Sequence, residues 1–206
     1  MSIAGLRRLL NDAPSAPVQE RCELCAAPLA PEHQHLVHVT ERRLQCACTA
    51  CALLFDNPGA GGGGQRRVPG RYLADPGFEL SEAQWDDLQI PVRMAFFFRN
   101  SSQDKVIACY PSPAGATESE LSLEHWEEGV GTSKLAAVLE PDVEALLVRR
   151  NEREAGSGEC LLVPIDACYK LVGLVRMHWK GFDGGSEAWD AIDGFFDGVR
   201  NQSREL

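Results

Sequence analysis

The sequence has no apolar run approaching the ~18 residues that a membrane-spanning helix needs, so no span is expected. No secretory leader of the usual form is expected either. The apolar stretch after Ser2 is broken by Arg7 and Arg8, whereas a leader carries its charges first and its apolar core after. A reducing, cytoplasmic setting is therefore expected. Positive charge is short as well: 20 Lys and Arg face 30 Asp and Glu, for a formal net charge of −10. Broad affinity for nucleic acid depends on neutralising phosphates, and this balance argues against it. A serine nucleophile elbow is missing, and so is a dinucleotide fingerprint. The glycine run Gly61 to Gly64 has no strand before it, no helix after it and no Lys-Ser/Thr end, so it reads as a flexible loop and not a phosphate cradle. Asp86-Asp87 and Glu127-Glu128 read as solvated helix positions, not catalytic pairs.

Cysteine, by contrast, is plentiful. There are 8, of which Cys22, Cys25, Cys46, Cys48 and Cys51 crowd into one stretch. Cys22-Glu-Leu-Cys25 and Cys48-Thr-Ala-Cys51 are two Cys-x-x-Cys pairs, the spacing of a four-thiolate metal site. Two residues between cysteines let a tight turn aim both sulfurs at one ion. Backbone N–H groups in the turn can donate to the thiolates. The expected ligands are Cys22, Cys25, Cys48 and Cys51 and the expected cofactor is Zn2+, with a single iron as the alternative. Paired disulfides would need an oxidising compartment. Cys46 can replace Cys48 or remain a free thiol nearby; Cys48 is preferred because it completes the spacing with Cys51. A closed four-cysteine set leaves no position for substrate, so it points to a structural site.

Along the chain, residues 2–11 suit a short amphipathic helix, and Pro14 and Pro17 mark a linker. Residues 1–20 are thus a tail and linker, 21–72 a zinc-ribbon-like metal-binding domain with its glycine-rich loop, and 73–206 an α+β domain. The ribbon carries a strand near His35 to Thr40. His33, His35 and His38 read as exposed polar positions, because no acidic or cysteine residue is spaced to join them. Arg21, Arg42, Arg43, Arg66, Arg67 and Arg71 give residues 21–72 a small basic excess, of which Arg66, Arg67 and Arg71 can bind an anion or an acidic partner or are simply solvated.

In the α+β part, Ser81 and Gln84 have capping-box spacing. Val92–Arg99, Lys105–Tyr110, Val143–Arg150, Cys160–Ile165 and Cys168–Trp179 read as strands. Short helices are expected over Leu121–Glu128 and, capped by Thr132, over Lys134–Leu139. Pro111 to Gly115 ends the first hairpin, and Asn151 to Glu159 is a turn. After a Ser186 cap, Trp189, Ile192, Phe195, Phe196 and Val199 recur at helical spacing. The fold class is therefore α+β: a small four-cysteine unit, then a mainly antiparallel sheet of about five strands. One face of that sheet is covered by the C-terminal helix. Cys109, Cys160 and Cys168 read as buried apolar side chains.

Arg21-Cys-Glu-Leu-Cys25, Pro31-Glu-His-Gln-His-Leu36, Arg43-Leu-Gln-Cys-Ala-Cys48, Cys51 to Phe55, Pro58-Gly and Arg71-Tyr-Leu73 resemble an uncharacterised, mainly actinobacterial family. Its genes lie beside those of nickel–iron hydrogenases and their maturation factors. The resemblance implies a setting in hydrogenase assembly, with a hydrogenase subunit or maturation factor as partner, and transfers no catalytic residue. Ala26 and Ala52 stand where many rubredoxin-like knuckles have glycine. The reading is a non-enzymatic accessory protein with a structural zinc site. The alternatives are a rubredoxin-like iron electron carrier and a nucleic-acid-binding ribbon.

Overall fold

The structure, a computed structural model, describes residues 19–57, 59–120, 122–150 and 158–206. The helix expected over 2–11, the linker marked by Pro14 and Pro17, and most of the turn at 151–159 lie outside the described residues. The small unit comes first. Strands β1 (Gln34–His38) and β2 (Arg43–Ala47) form an antiparallel hairpin; helix α1 (Thr49–Leu54) follows, and β3 (Gln65–Arg67) pairs on the far side of β1. Arg42 takes a left-handed φ of 52° to close the hairpin. The glycine run makes a tight turn in which Gly61 has φ 60°, and a Cβ there would lie 2.8 Å from the Phe55 ring.

The large sheet holds seven strands in the order β10-β4-β9-β8-β5-β6-β7. These are β4 (Leu73–Ala74), β5 (Met94–Asn100), β6 (Lys105–Ser112), β7 (Gly115–Ser119), β8 (Glu144–Arg150), β9 (Gly158–Pro164) and β10 (Arg204–Glu205). Every pairing is antiparallel except β10 with β4. Both faces are covered. Phe96, Leu147, Leu161 and Val163 pack under α4 (Ile165–His178) and α5 (Gly185–Gln202). The alternate residues Ala95, Phe97, Leu146 and Leu162 share a second core with Trp85 and Trp126. Those tryptophans come from α2 (Glu82–Asp87), whose capping box is present, and α3 (Leu123–Glu128). Burial on both faces explains why the central strands are almost continuously apolar instead of alternating.

The structure corrects several expectations. Cys168–Trp179 is not a strand but most of α4. Tyr169, Val172, Val175 and Trp179 suit a strand, but Ile165, Cys168, Leu171, Val172 and Val175 are buried positions spaced by three and four. The sheet has more than five strands, because β4, β7 and β10 are short pieces that gain their hydrogen bonds only from a neighbour already in place. The hairpin does not end at Pro111: β6 runs on to Ser112 and turns directly into β7. Ser133, not Thr132, caps a 3-10 turn over Lys134–Ala137. Helix α5 starts after Gly184 in a left-handed conformation, without a side-chain cap from Ser186.

The small sheet rests on the large one. Val37 and Val68 are buried in the same core as Phe96 and Leu147. Arg66 donates to the Pro141 carbonyl, and Arg71 makes a two-pronged pair with Glu144 at 2.7 and 2.6 Å. Glu144 is fully buried and also accepts the Glu140 N–H. Its hydrogen bonds hold the Arg71 guanidinium above its usual pKa. Removing the arginine strands a buried carboxylate. Arg71→Ala is expected to lower unfolding stability by about 3 kcal/mol in urea titrations. Arg200→Ala, whose carboxylate partners lie at the surface, should cost within about 1 kcal/mol in the same assay.

Candidate metal centre

Local turns bring the two cysteine pairs together. In the first, the Ala26 N–H donates to the Cys22 carbonyl and the Cys22 N–H to the Ala27 carbonyl, which folds the chain back on itself. Ala26 takes a φ of 60°, the conformation that glycine enters most cheaply. The second pair runs straight into α1. Cys48 is the N-cap, and its sulfur accepts the Cys51 N–H at 3.4 Å. Ala52 is therefore a helical residue, and no glycine is required there.

Cys22, Cys25, Cys48 and Cys51 form one group whose sulfurs all lie within 4.8 Å of one another. Cys25 Sγ and Cys48 Sγ are 3.7 Å apart. Zn–S bonds near 2.3 Å define a tetrahedron with an edge of about 3.8 Å, so this donor set fits a four-coordinate ion. Cys22 is buried and Cys25 exposed, with Cys48 and Cys51 between, which places the centre at the surface of the small unit. Burial raises the Cys22 thiol, but hydrogen bonds from the Cys48, Cys25 and Leu24 backbone and from the Cys25 thiol outweigh it and bring the pKa to about 6. The Cys51 thiol, hydrogen-bonded to the Cys25 and Cys48 sulfurs and partly desolvated, is pushed up to about 12. The four cysteines can hold a metal ion.

Cys46 does not join this group. It lies opposite His35 in the β1–β2 register and clusters with His33 and His35 instead. The expectation that no cysteine is placed to meet the histidines is therefore corrected: the partner sits across the hairpin, where linear spacing does not reveal it. His38 is elsewhere, its Nδ1 accepting the Glu41 N–H. The arginines are engaged with carboxylates: Arg42 with Glu118, Arg43 with Glu23 and Glu41, Arg66 with Glu140 and Asp142, Arg67 with Asp56, and Arg71 with Glu144. Cys109, Cys160 and Cys168 are buried in the sheet cores. Burial pushes the first two thiols up to about 12 and the third well above its ordinary value, so none is primed as a nucleophile. His178 pairs with Glu187.

A family model for a family of unknown function, DUF5947, matches residues 21–203. The chain belongs to that family. The match takes in the four-cysteine unit and the large sheet as far as β9, stopping just short of β10. No curated protein and no solved structure is detectably similar to the chain.

Cys22→Ser and Cys51→Ser should each lose bound metal from the four-cysteine centre, measured as metal per chain after gel filtration, whereas Cys109→Ser should retain it. Binding has to displace the proton held by Cys51 at neutral pH, so affinity rises with pH. Adding zinc to metal-free protein in weak buffer at pH 7 should therefore acidify the solution.

Proposed function

We propose that this chain is a non-enzymatic accessory protein whose small unit is held together by a structural zinc ion. The observation that carries the reading is the closed donor set: four cysteine sulfurs converge, leaving no position for water or substrate. Zinc is preferred to iron because four-thiolate coordination with no redox requirement is the commonest use of such knuckles. The buried, unprimed thiols of the large sheet add no nucleophile.

The protein acts through contacts with other proteins, and the resemblance noted above directs those contacts to nickel–iron hydrogenase assembly or maturation. Leu53 and Leu54, 53% and 68% exposed on α1 beside the cysteines, supply apolar surface for such a contact. No helix of the described residues is long and apolar enough to cross a membrane. Arginines already paired with carboxylates speak against a phosphate-binding ribbon.

Protein purified under reducing, oxygen-free conditions without added metal should contain zinc and show no thiolate-to-iron absorption. A red, reversibly bleached spectrum would transfer the reading to an electron carrier. Tagged protein should co-purify with a hydrogenase subunit or maturation factor in cells expressing the enzyme. Failure to do so, with unchanged hydrogenase activity in a deletion strain, would sink the assignment of the partner.

A further inference from the structure

We propose that His33, His35 and Cys46 form a second metal site, separate from the four-cysteine centre, with three protein ligands and a fourth position left for an exchangeable one. The inference goes beyond the accessory role and does not depend on it. One donor atom from each of the three residues lies within 4.8 Å of the others. Metal–nitrogen bonds near 2.0 Å and a metal–sulfur bond near 2.3 Å need donors roughly 3.5 Å apart, so side-chain shifts of about 1 Å close the site.

The hydrogen bonds select which imidazole nitrogens are offered. His33 Nδ1 lies 3.0 Å from the Ala30 carbonyl, which can only accept, so Nδ1 carries the proton and Nε2 the lone pair. That Nε2 is buried with no hydrogen-bond partner, on a side chain only 9% exposed. A desolvated, unpartnered acceptor is costly, and a bound cation is the chemistry that satisfies it. His35 Nδ1 lies 2.9 Å from Asp166 Oδ2, which again leaves Nε2 to ligate. A carboxylate behind a ligating histidine orients the ring and raises its basicity. Cys46 is held from both sides: its N–H donates to Glu23 Oε1 at 2.8 Å and its carbonyl accepts the Glu23 N–H at 2.9 Å.

Two imidazoles and one thiolate suit a borderline divalent transition ion, zinc above all, and not magnesium or calcium. Three ligands with an open position are the pattern of sites that exchange or activate a bound ligand, unlike a closed four-thiolate set. Asp166 lies in the first turn of α4, so an ion here would also tie the small sheet to the large one.

Cobalt titration of the metal-free, full-length chain under reducing conditions tests the proposal. Two equivalents should bind. The first should give the intense sulfur-to-cobalt absorption of a four-thiolate site; the second should add a weaker, mixed nitrogen–sulfur spectrum and exchange faster with a chelator. His33→Ala and Cys46→Ser should keep the first equivalent unchanged and lose the second. Saturation of the wild-type chain at one equivalent overturns the proposal, as does a second equivalent that persists in both variants. If those variants take up no cobalt at all, Asp166→Asn decides. A second equivalent weakened 10–100-fold supports the site, and an unchanged one overturns it.

Discussion

A three-stranded sheet whose own core is Cys22, Leu29, Leu36, Ala47 and Ala52 buries too little apolar surface to order itself. Most of the local architecture answers that constraint. Four sulfurs converge into a group that could hold a metal ion, and a bound ion would add folding energy. Val37 and Val68 lend the small sheet to the core of the large one, and Arg71 reaches over to the buried Glu144. The large sheet is under no such pressure, because it is covered on both faces and its central strands are apolar throughout.

The β1–β2 hairpin divides chemistry between its two faces. Leu36 and Ala47 face the four-cysteine centre, while Val37 packs with the core under α4 and α5. His35 and Cys46, directly opposite one another, share the face that meets Asp166. The four-cysteine group and the His33, His35 and Cys46 group are thus two separate clusters beside the same hairpin. Glu23 links them, lying between Cys22 and Cys25 in the chain and clamping the backbone of Cys46.

The charge pattern takes a different meaning in three dimensions. The basic excess of residues 21–72 looks, as a count, like a surface for anions. In the fold it is largely internal stitching: Arg42, Arg66 and Arg71 each reach a carboxylate on the following part of the chain. The acidity of residues 73–206 is partly the complement of that stitching.

By itself the sequence determined what short-range spacing can encode. The Cys-x-x-Cys pairs, the capping box at Ser81 and Gln84, and the apolar strands around Phe96, Leu147 and Leu161 were all legible, because each is written within a few consecutive residues. Helix α4 reads as a strand in the sequence because Tyr169, Val172, Val175 and Trp179 favour one, and only burial makes the spacing of three and four plain. The edge strands β7 and β10, the Arg71–Glu144 pair and the meeting of His33, His35 and Cys46 were decided by tertiary structure alone. Each depends on a register or a contact between distant segments, and a one-residue slip of β1 against β2 would turn His35 to the opposite face.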